Sequence, residues 1–328
     1  MSVTLNGGVT FGGGLTLSAA PPSTPTAGWW GGGTTPSYVS TVQRITFATD
    51  TNTATVRGPL SYAVNRMAAT GTLTNGWFGG GYSGALISST TRVTFATDTA
   101  TSTSKGPLSE ERWGLSATSD GSTYGWFGGG YGYPPPPTRQ KSVVDRITYA
   151  TDTATASIRG PLATARVSLS AAGTTSYGWF GGGTTVGTSP SIPGLVSIVD
   201  RIDYSNDTAT ATAKGPLSLA RYQLAAVSDN TTYGWFGGGY SSTGVKTTID
   251  RITYATDTTT ASVRGSLFQA VSRQAGTSDT INGWFGGGYT GFKSTVQRIT
   301  YATDTADASV RGPLSLAATF LGATSGLQ

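Results

Sequence analysis

Apolar and polar residues alternate with a period of two along most of the chain, and turn-forming residues interrupt the alternation about every 8 to 12 residues. This pattern predicts short antiparallel strands. In one representative stretch the predicted strands are Leu224 to Ser228, Tyr233 to Gly237, Ile249 to Ala255 and Thr260 to Arg264, labelled a to d in chain order. The chain is therefore predicted to be all-β.

The four-strand pattern recurs six times. Each copy contains GWWGGG or GWFGGG, then an arginine at the start of a short apolar and aromatic run, then an aspartate before threonine, and then a basic residue followed by glycine. The aromatic motifs begin at Gly28, Gly76, Gly125, Gly178, Gly234 and Gly283. Of the 48 glycines, 30 occupy these repeated positions, so the unusual composition belongs to a repeat architecture and not to disorder.

Strand b carries large aromatic side chains on both of its faces. Tyr233 and Trp235 point to one side and Phe236 to the other, so both sides of the strand must be buried. A β-propeller buries both faces, because each four-stranded blade lies between two neighbouring blades around a central axis. The six units therefore predict a six-bladed propeller with four antiparallel strands in each blade.

The two ends of the repeat array are complementary. The first aromatic motif has no strand a before it, whereas the chain ends in a strand a with no strand b after it. We therefore predict that Ala317 to Thr324 pairs with Trp29 and Trp30 and completes the first blade. This pairing would close the ring.

The repeat is similar to the kelch repeat. YGWFGGGY matches the aromatic strand that ends in glycines, TTIDRITYATDTTTASVRG matches the following strand, turn and short strand, and GPLSLARYQLAAVS matches the Pro-Leu turn and the next strand. The resemblance covers about residues 28–326 and implies a kelch-like propeller. The chain departs from the family on strand d, where kelch repeats usually carry tryptophan. The residues near that place are Val56, Ile158, Val263 and Val310.

The first 27 residues follow another pattern. Residues 1–18 carry apolar side chains at odd positions with Thr or Gly between them, and a segment with one apolar face is too thin to be stable alone. We predict a β-rich segment that docks on another protein or on its own copies. Its candidate docking residues are Val3, Leu5, Val9, Phe11, Leu15 and Leu17. Residues 19–27, with three prolines, are predicted to be a semi-rigid linker to the propeller at residues 28–328.

Composition excludes several kinds of chemistry. The 328 residues include neither Cys nor His, which leaves no thiol nucleophile, imidazole base or ordinary zinc, copper or haem site. A sialidase-like enzyme is a remote alternative, because SDGSTYGW loosely resembles an Asp-box turn and the only glutamates are the adjacent Glu110 and Glu111. We therefore expect no enzyme activity, metal or cofactor. No apolar run is long enough for a membrane span, and the first residues do not resemble a signal peptide.

The chain has 21 basic and 16 acidic residues. Of the basic residues, 17 lie at repeated positions, including a group near the start of strand a formed by Arg66, Arg112, Arg166, Arg221 and Arg273. Because this charge follows the blade symmetry, we predict structural ion pairs, for example Arg146 with Asp152 across the turn between strands c and d, and no nucleic-acid site. The repeated aspartates are also predicted to accept backbone hydrogen bonds within their turns.

The loops between strands b and c vary from 9 to 17 residues, whereas the turn between strands c and d hardly changes. One end of the ring is therefore variable, and such insertions commonly mark a binding face. The candidate ligand-binding residues are Tyr82, Tyr131, Tyr133, Arg139, Lys141, Tyr240, Lys246, Tyr289, Phe292 and Lys293. Tyrosines with a few cations suit contacts with glycans or proteins. The alternative is that the four tyrosines that directly follow GGG only cap their blades.

Units with GWFGGG and DRITYATDTATASVRGPLS, preceded by GGVTFGGGLTL, resemble kelch-like propeller proteins of tailed phages, especially those of marine bacteria and cyanobacteria. The resemblance implies a virion protein, assembled in the host cytoplasm and exposed on the particle surface in many copies or as a homo-oligomer. Residues 1–18 would bind other virion proteins, and the propeller of a tail fibre or capsid-surface component would contact a host glycan or receptor. The alternative is an architectural protein that binds only neighbouring subunits.

Overall fold

The computed structural model describes residues 24–133, 139–186 and 194–326, together with the backbone of two short strands, Val3–Leu5 and Val9–Phe11. These two strands pair antiparallel and include four of the six predicted docking residues. The other two, Leu15 and Leu17, lie outside the described residues, as do residues 19–23 of the predicted linker.

The propeller consists of six four-stranded antiparallel sheets. Strands a to d are Gly322–Thr324, Ala27–Gly31, Val42–Thr46 and Thr55–Arg57 in blade 1; Ala68–Gly71, Asn75–Gly79, Thr90–Thr94 and Thr103–Lys105 in blade 2; Ser116–Ser119, Tyr124–Gly128, Val144–Thr148 and Ser157–Arg159 in blade 3; Ser170–Gly173, Tyr177–Gly181, Val199–Asp203 and Thr212–Lys214 in blade 4; Ala225–Ser228, Tyr233–Gly237, Ile249–Thr253 and Ser262–Val263 in blade 5; and Ala275–Ser278, Asn282–Gly286, Val296–Thr300 and Ser309–Arg311 in blade 6. The predicted fold is confirmed.

Each turn between strands c and d contains one turn of 3₁₀ helix. These turns are Phe47–Thr49, Phe95–Thr97, Tyr149–Thr151, Tyr204–Asn206, Tyr254–Thr256 and Tyr301–Thr303. Two small hairpin-like pairs decorate the loops: Arg112–Trp113 pairs with Tyr131–Gly132, and Tyr240–Ser241 pairs with Gly244–Val245. No helix among the described residues is long and apolar enough to cross a membrane.

The aromatic pair of each strand b divides between two interfaces. In blade 2, Trp77 packs towards blade 3 and stacks on Tyr149 with ring centroids 4.2 Å apart, whereas Phe78 enters the cluster shared with blade 1. Both side chains are almost fully buried. The same stacking on the 3₁₀ turn of the next blade recurs at all six interfaces. The core is therefore a set of inter-blade clusters, and the predicted burial of both faces is confirmed.

The repeated glycines permit close backbone approach between blades. A Cβ on Gly106, which follows strand d of blade 2, would lie 2.0 Å from the carbonyl oxygen of Ala154 in blade 3. Glycine is therefore required there by contact with the neighbouring blade.

The repeated ion pairs join neighbouring blades, so the predicted pairing of Arg146 with Asp152 is wrong. Arg146 Nη1 lies 3.0 Å from Asp207 Oδ2 in the next blade. Asp152 instead binds Arg92, Lys105 and the indole N–H of Trp77, all from the preceding blade. Each repeated aspartate thus accepts side-chain donors from the previous blade, and the predicted role as acceptor of backbone hydrogen bonds in its own turn is also wrong.

The ring closes as predicted. Strand a of blade 1 pairs with strand b through Trp29 with Thr324 and Trp30 with Ala323. Across the same junction, Asp50 of blade 1 accepts the indole N–H of Trp284 at 2.8 Å, in the manner of the other five interfaces. The closing interface is therefore equivalent to the others.

Antiparallel connectivity gives the propeller two different ends. We call the end with the a–b and c–d turns the uniform face, and the end with the b–c loops and d–a linkers the variable face. The chain enters blade 1 at the uniform face, where Pro25 is buried and the carbonyl oxygen of Thr26 accepts a hydrogen bond from the N–H of Phe47 at 2.9 Å. The residues that precede the propeller therefore join it opposite the variable loops.

Candidate functional site

The six d–a linkers meet at the propeller axis on the variable face. Each contributes one residue whose backbone N–H donates to the carbonyl oxygen of the equivalent residue in the preceding blade, over 2.7 to 3.0 Å, and the sixth bond closes the circle. We call this circle the axial ring. Its members are Arg66, Gly114, Ser168, Gln223, Arg273 and Phe320.

All six residues of the axial ring have positive φ, between 56° and 68°. Only Gly114 adopts this conformation without a steric penalty; a residue with a Cβ incurs about 1–2 kcal/mol. Five of the six positions nevertheless carry side chains. Strain of this kind collects at functional sites, where the side chain is needed despite its conformational cost.

We expect Ser168→Gly to raise the melting temperature by about 1–3 °C, because relief of the backbone strain exceeds the added entropy of the unfolded chain. Ser168→Ala is the matched control, since it removes the hydroxyl and keeps the Cβ. Differential scanning calorimetry of both variants checks the prediction. An equal effect of the two substitutions would contradict it.

Two arginines of the axial ring flank its phenylalanine. The guanidinium carbon atoms of Arg66 and Arg273 lie 4.4 and 4.8 Å from the ring centroid of Phe320. Arg66 also covers Trp113, and Arg273 covers Tyr289, at 4.3 and 4.7 Å. These cation–π contacts hold both guanidinium groups beside the axis.

Neither of these two arginines forms an ion pair with a carboxylate among the described residues. The Nε of Arg66 is buried without a hydrogen-bond partner, and the Nε of Arg273 donates to Gln223 Oε1 at 3.1 Å. Burial lowers the pKa of both groups, and the positive charge of Arg273 lowers the pKa of Arg66 further. A cavity of about 80 Å³ lies at the ring between these side chains.

The other three arginines near strand a have a different role. Arg112, Arg166 and Arg221 precede the axial ring by two residues, are fully buried, and pair with aspartates on strand c. The prediction of ion pairs is therefore right for these three and wrong for Arg66 and Arg273. A register count would have separated them, because the three paired arginines follow the leucine of the Pro-Leu or Ser-Leu turn by four residues and the two others by six.

The four tyrosines that follow GGG surround the axial ring. Each forms a backbone bridge with the residue that directly precedes a ring member. The pairs are Tyr82 with Asn65, Tyr131 with Trp113, Tyr240 with Tyr222, and Tyr289 with Ser272. Tyr289 is 40 % exposed and the other three are half-buried. The structure thus brings these predicted residues together around a centre that sequence analysis did not identify.

The remaining predicted residues lie farther out on the loops of the variable face. Arg139 donates to the hydroxyl of Tyr131 at 3.1 Å, and Lys246 donates to Thr243 at 2.7 Å. Lys141 is paired with Glu110 at 2.9 Å. Tyr133 is 52 % exposed, Phe292 is 41 % exposed and stands edge-on to Tyr289, and the backbone N–H of Lys293 donates to Gly288.

The ion pairs leave a charge difference between the two faces. Among the described residues, 16 of the 21 basic side chains pair with a carboxylate. The five that do not are Arg66, Arg139, Lys246, Arg273 and Lys293, all on the variable face. The carboxylates without an ion pair in the same set are Glu111 on the variable face and Asp120, Asp203, Asp229, Asp279 and Asp307 on the uniform face. The variable face is therefore positive and the uniform face negative.

The described residues contain no group of three or more acidic side chains placed to hold a metal ion. Neither the scan against protein-family models nor the search of curated proteins finds a match to this chain. The geometry defines the class of the protein: it is a six-bladed β-propeller with a positive, aromatic variable face and an N-terminal segment that joins the opposite face.

Proposed function

We propose that this protein is a phage virion component that displays its propeller for adhesion to the host surface. The observation that carries the proposal is the opposition of the two faces. The segment that would attach the propeller enters at the uniform face, and the irregular loops, half-buried tyrosines and unpaired cations lie at the other end. This arrangement suits a protein held at one end and presented at the other.

Residues 1–18 would bind other virion proteins or further copies of the chain. Val3–Leu5 and Val9–Phe11 form a two-stranded pair, and an isolated hairpin of this size is marginal in water. A second surface supplied by the particle would stabilise it. The kelch-like phage resemblance of the repeat supports the same assignment.

The anchoring role predicts that deletion of residues 1–23 yields a monomeric, folded propeller that no longer enters particles. The deletion must stop there, because Pro25 is buried and Ala27 belongs to strand b of blade 1. Size-exclusion chromatography, a thermal melt and mass spectrometry of purified particles test this expectation. A truncated chain that is incorporated at the normal level would overturn the anchoring role.

The adhesive role predicts that Arg139→Gln, Lys246→Gln and Lys293→Gln together lower the rate of adsorption to host cells several-fold at low ionic strength, because long-range attraction to an anionic surface is lost. The control is Asp203→Asn on the uniform face, which keeps the acceptor for the N–H of Ser205 and is expected to leave adsorption unchanged. Adsorption of the triple variant at the unaltered rate would favour the architectural alternative.

One observation favours that alternative. The outer strand d carries exposed apolar side chains in four blades, and a bare edge strand is suited to pairing or packing with a neighbour. They are Val56, Ile158, Val263 and Val310, between 45 % and 65 % exposed. An architectural protein would use this rim to contact adjacent subunits.

A further inference from the structure

We propose that the axial ring is the binding site for one acidic group of a host-surface saccharide, held by Arg66 and Arg273. The acidic group is a carboxylate or a phosphate. This inference rests on the proposed adhesive function and names the chemistry that the variable face recognises.

The first argument is charge. Removing a cation from water without a partner is unfavourable, and two like charges near each other add repulsion. Every repeated arginine on strands c and d has an aspartate within 3.6 Å in the next blade, whereas Arg66 and Arg273 have no carboxylate among the described residues. An anion from outside would supply the missing partner.

The second argument is the direction of the donors. The backbone N–H groups of the axial ring are all used within it, so a ligand must be bound by side chains. Gln223 takes the Nε of Arg273, which orients that guanidinium group and leaves its terminal nitrogens for a ligand. A planar guanidinium fork matches the two oxygens of a carboxylate or phosphate.

The third argument is size and asymmetry. A cavity of about 80 Å³ holds a group of roughly two or three water molecules, which fits an acid group and not a whole sugar ring. Arg273, Phe320 and Arg66 occupy consecutive positions around the axial ring, and Gly114 and Ser168 follow. The acid group would bind on the arginine side, with the rest of the saccharide above the small residues.

The surrounding side chains favour a saccharide over a nucleic acid. Tyr82, Tyr222 and Tyr289 offer ring faces together with hydroxyl groups, which suit a ligand with apolar and polar sides. A nucleic-acid backbone is bound by a continuous row of cations along its phosphates. The five unpaired cations are divided between the axis and separate loops, so they form no such row.

Isothermal titration of the full chain with glucuronate and with inorganic phosphate tests the site, with glucose as the neutral match to glucuronate. We expect one or both anions to bind in the millimolar range and glucose not to bind. Arg66→Gln and Arg273→Gln should each weaken binding about tenfold or more, since each removes charged hydrogen bonds. Arg139→Gln, an unpaired cation outside the axial ring, is the matched control and should bind as the unaltered protein does.

Glucuronate binding with no response to phosphate identifies a carboxylated sugar as the source of the acid group, and the reverse identifies a phosphorylated one. Failure of both anions to bind, or equal binding by the Arg66→Gln/Arg273→Gln double variant, would overturn the site. Tighter binding of an oligodeoxynucleotide than of an oligoglucuronate with the same number of charges would overturn the saccharide assignment.

Thermal melts keep these outcomes interpretable. Both arginine variants should melt at or above the temperature of the unaltered protein, because they relieve charge repulsion at the axial ring. Cell adsorption then separates this inference from the proposed function. Lost adsorption in the loop triple variant with no anion binding refutes only the site. Anion binding with unchanged adsorption in every variable-face variant refutes only the adhesive function.

Discussion

Removal of residues 318–328 is expected to abolish cooperative folding of the propeller. The deletion takes away strand a of blade 1, its pairing with Trp29 and Trp30, and the buried side chain of Leu321. It also opens the axial ring, because Phe320 joins Arg273 to Arg66. The loss of a buried leucine alone costs about 2–5 kcal/mol, which is a large part of the stability of a typical domain. Calorimetry and size-exclusion chromatography would detect a broad transition and an expanded or associated chain.

A circular permutant is the matched control for this deletion. It joins Gly326 to Thr26 by a short turn, so that blade 1 gains an a–b connection like those of the other blades, and it places new termini between Ser242 and Thr243 in an exposed loop. Because every strand is retained, it should melt within a few degrees of the full chain. A deletion variant that melts as sharply and at the same temperature as this permutant would refute the role assigned to the closing strand.

Arg221→Val is expected to lower the free energy of unfolding by about 3–5 kcal/mol, because it leaves Asp250 buried without its cation. Arg221 and Asp250 are both fully buried, with Nη2 and Oδ2 2.7 Å apart, and the arginine also donates to the carbonyl oxygens of Gly238 and Thr248. Calorimetry or chemical denaturation of the variant measures the loss.

The chain itself supplies the compensating substitution. At the same two positions, blade 6 carries Val271 with Gln297, so Arg221→Val/Asp250→Gln rebuilds a pair that this fold already uses. We expect the double variant to regain at least half of the lost stability, with a cavity accounting for the remainder. A double variant as unstable as the single one would show that the buried charge is not the cause.

The repeat made most of the architecture predictable. Strand b alternates aromatic side chains such as Trp235 and Phe236, and only a blade covered on both sides buries them together. The unpaired ends of the array made the closing strand predictable for a similar reason. The pairing of Arg146 was mistaken because every unit contains both an arginine and an aspartate, so the sequence cannot distinguish a contact within one unit from a contact with the next.

The axial ring was not predicted, although part of its signal was present. Arg66 and Arg273 were grouped with the ion-pairing arginines, and the two-residue difference in register separates them. The partner of Arg112, Arg166 and Arg221 is also visible, because only their units have aspartate before the arginine of strand c. What register could not reveal is that six single residues, about 50 positions apart, meet at one point.

The amino-acid sequence alone determined six units of four strands, burial on both faces of each blade, the closure of the ring and the existence of one variable end. These properties follow from local periodicity and from the count of complete and incomplete units. Only the tertiary structure decided that the repeated charges cancel between neighbouring blades and that Arg66 and Arg273 remain unpaired beside the axis. The reason is that closure of the ring brings distant linkers within hydrogen-bond distance, and a linear pattern does not encode which side chains will then share a cavity.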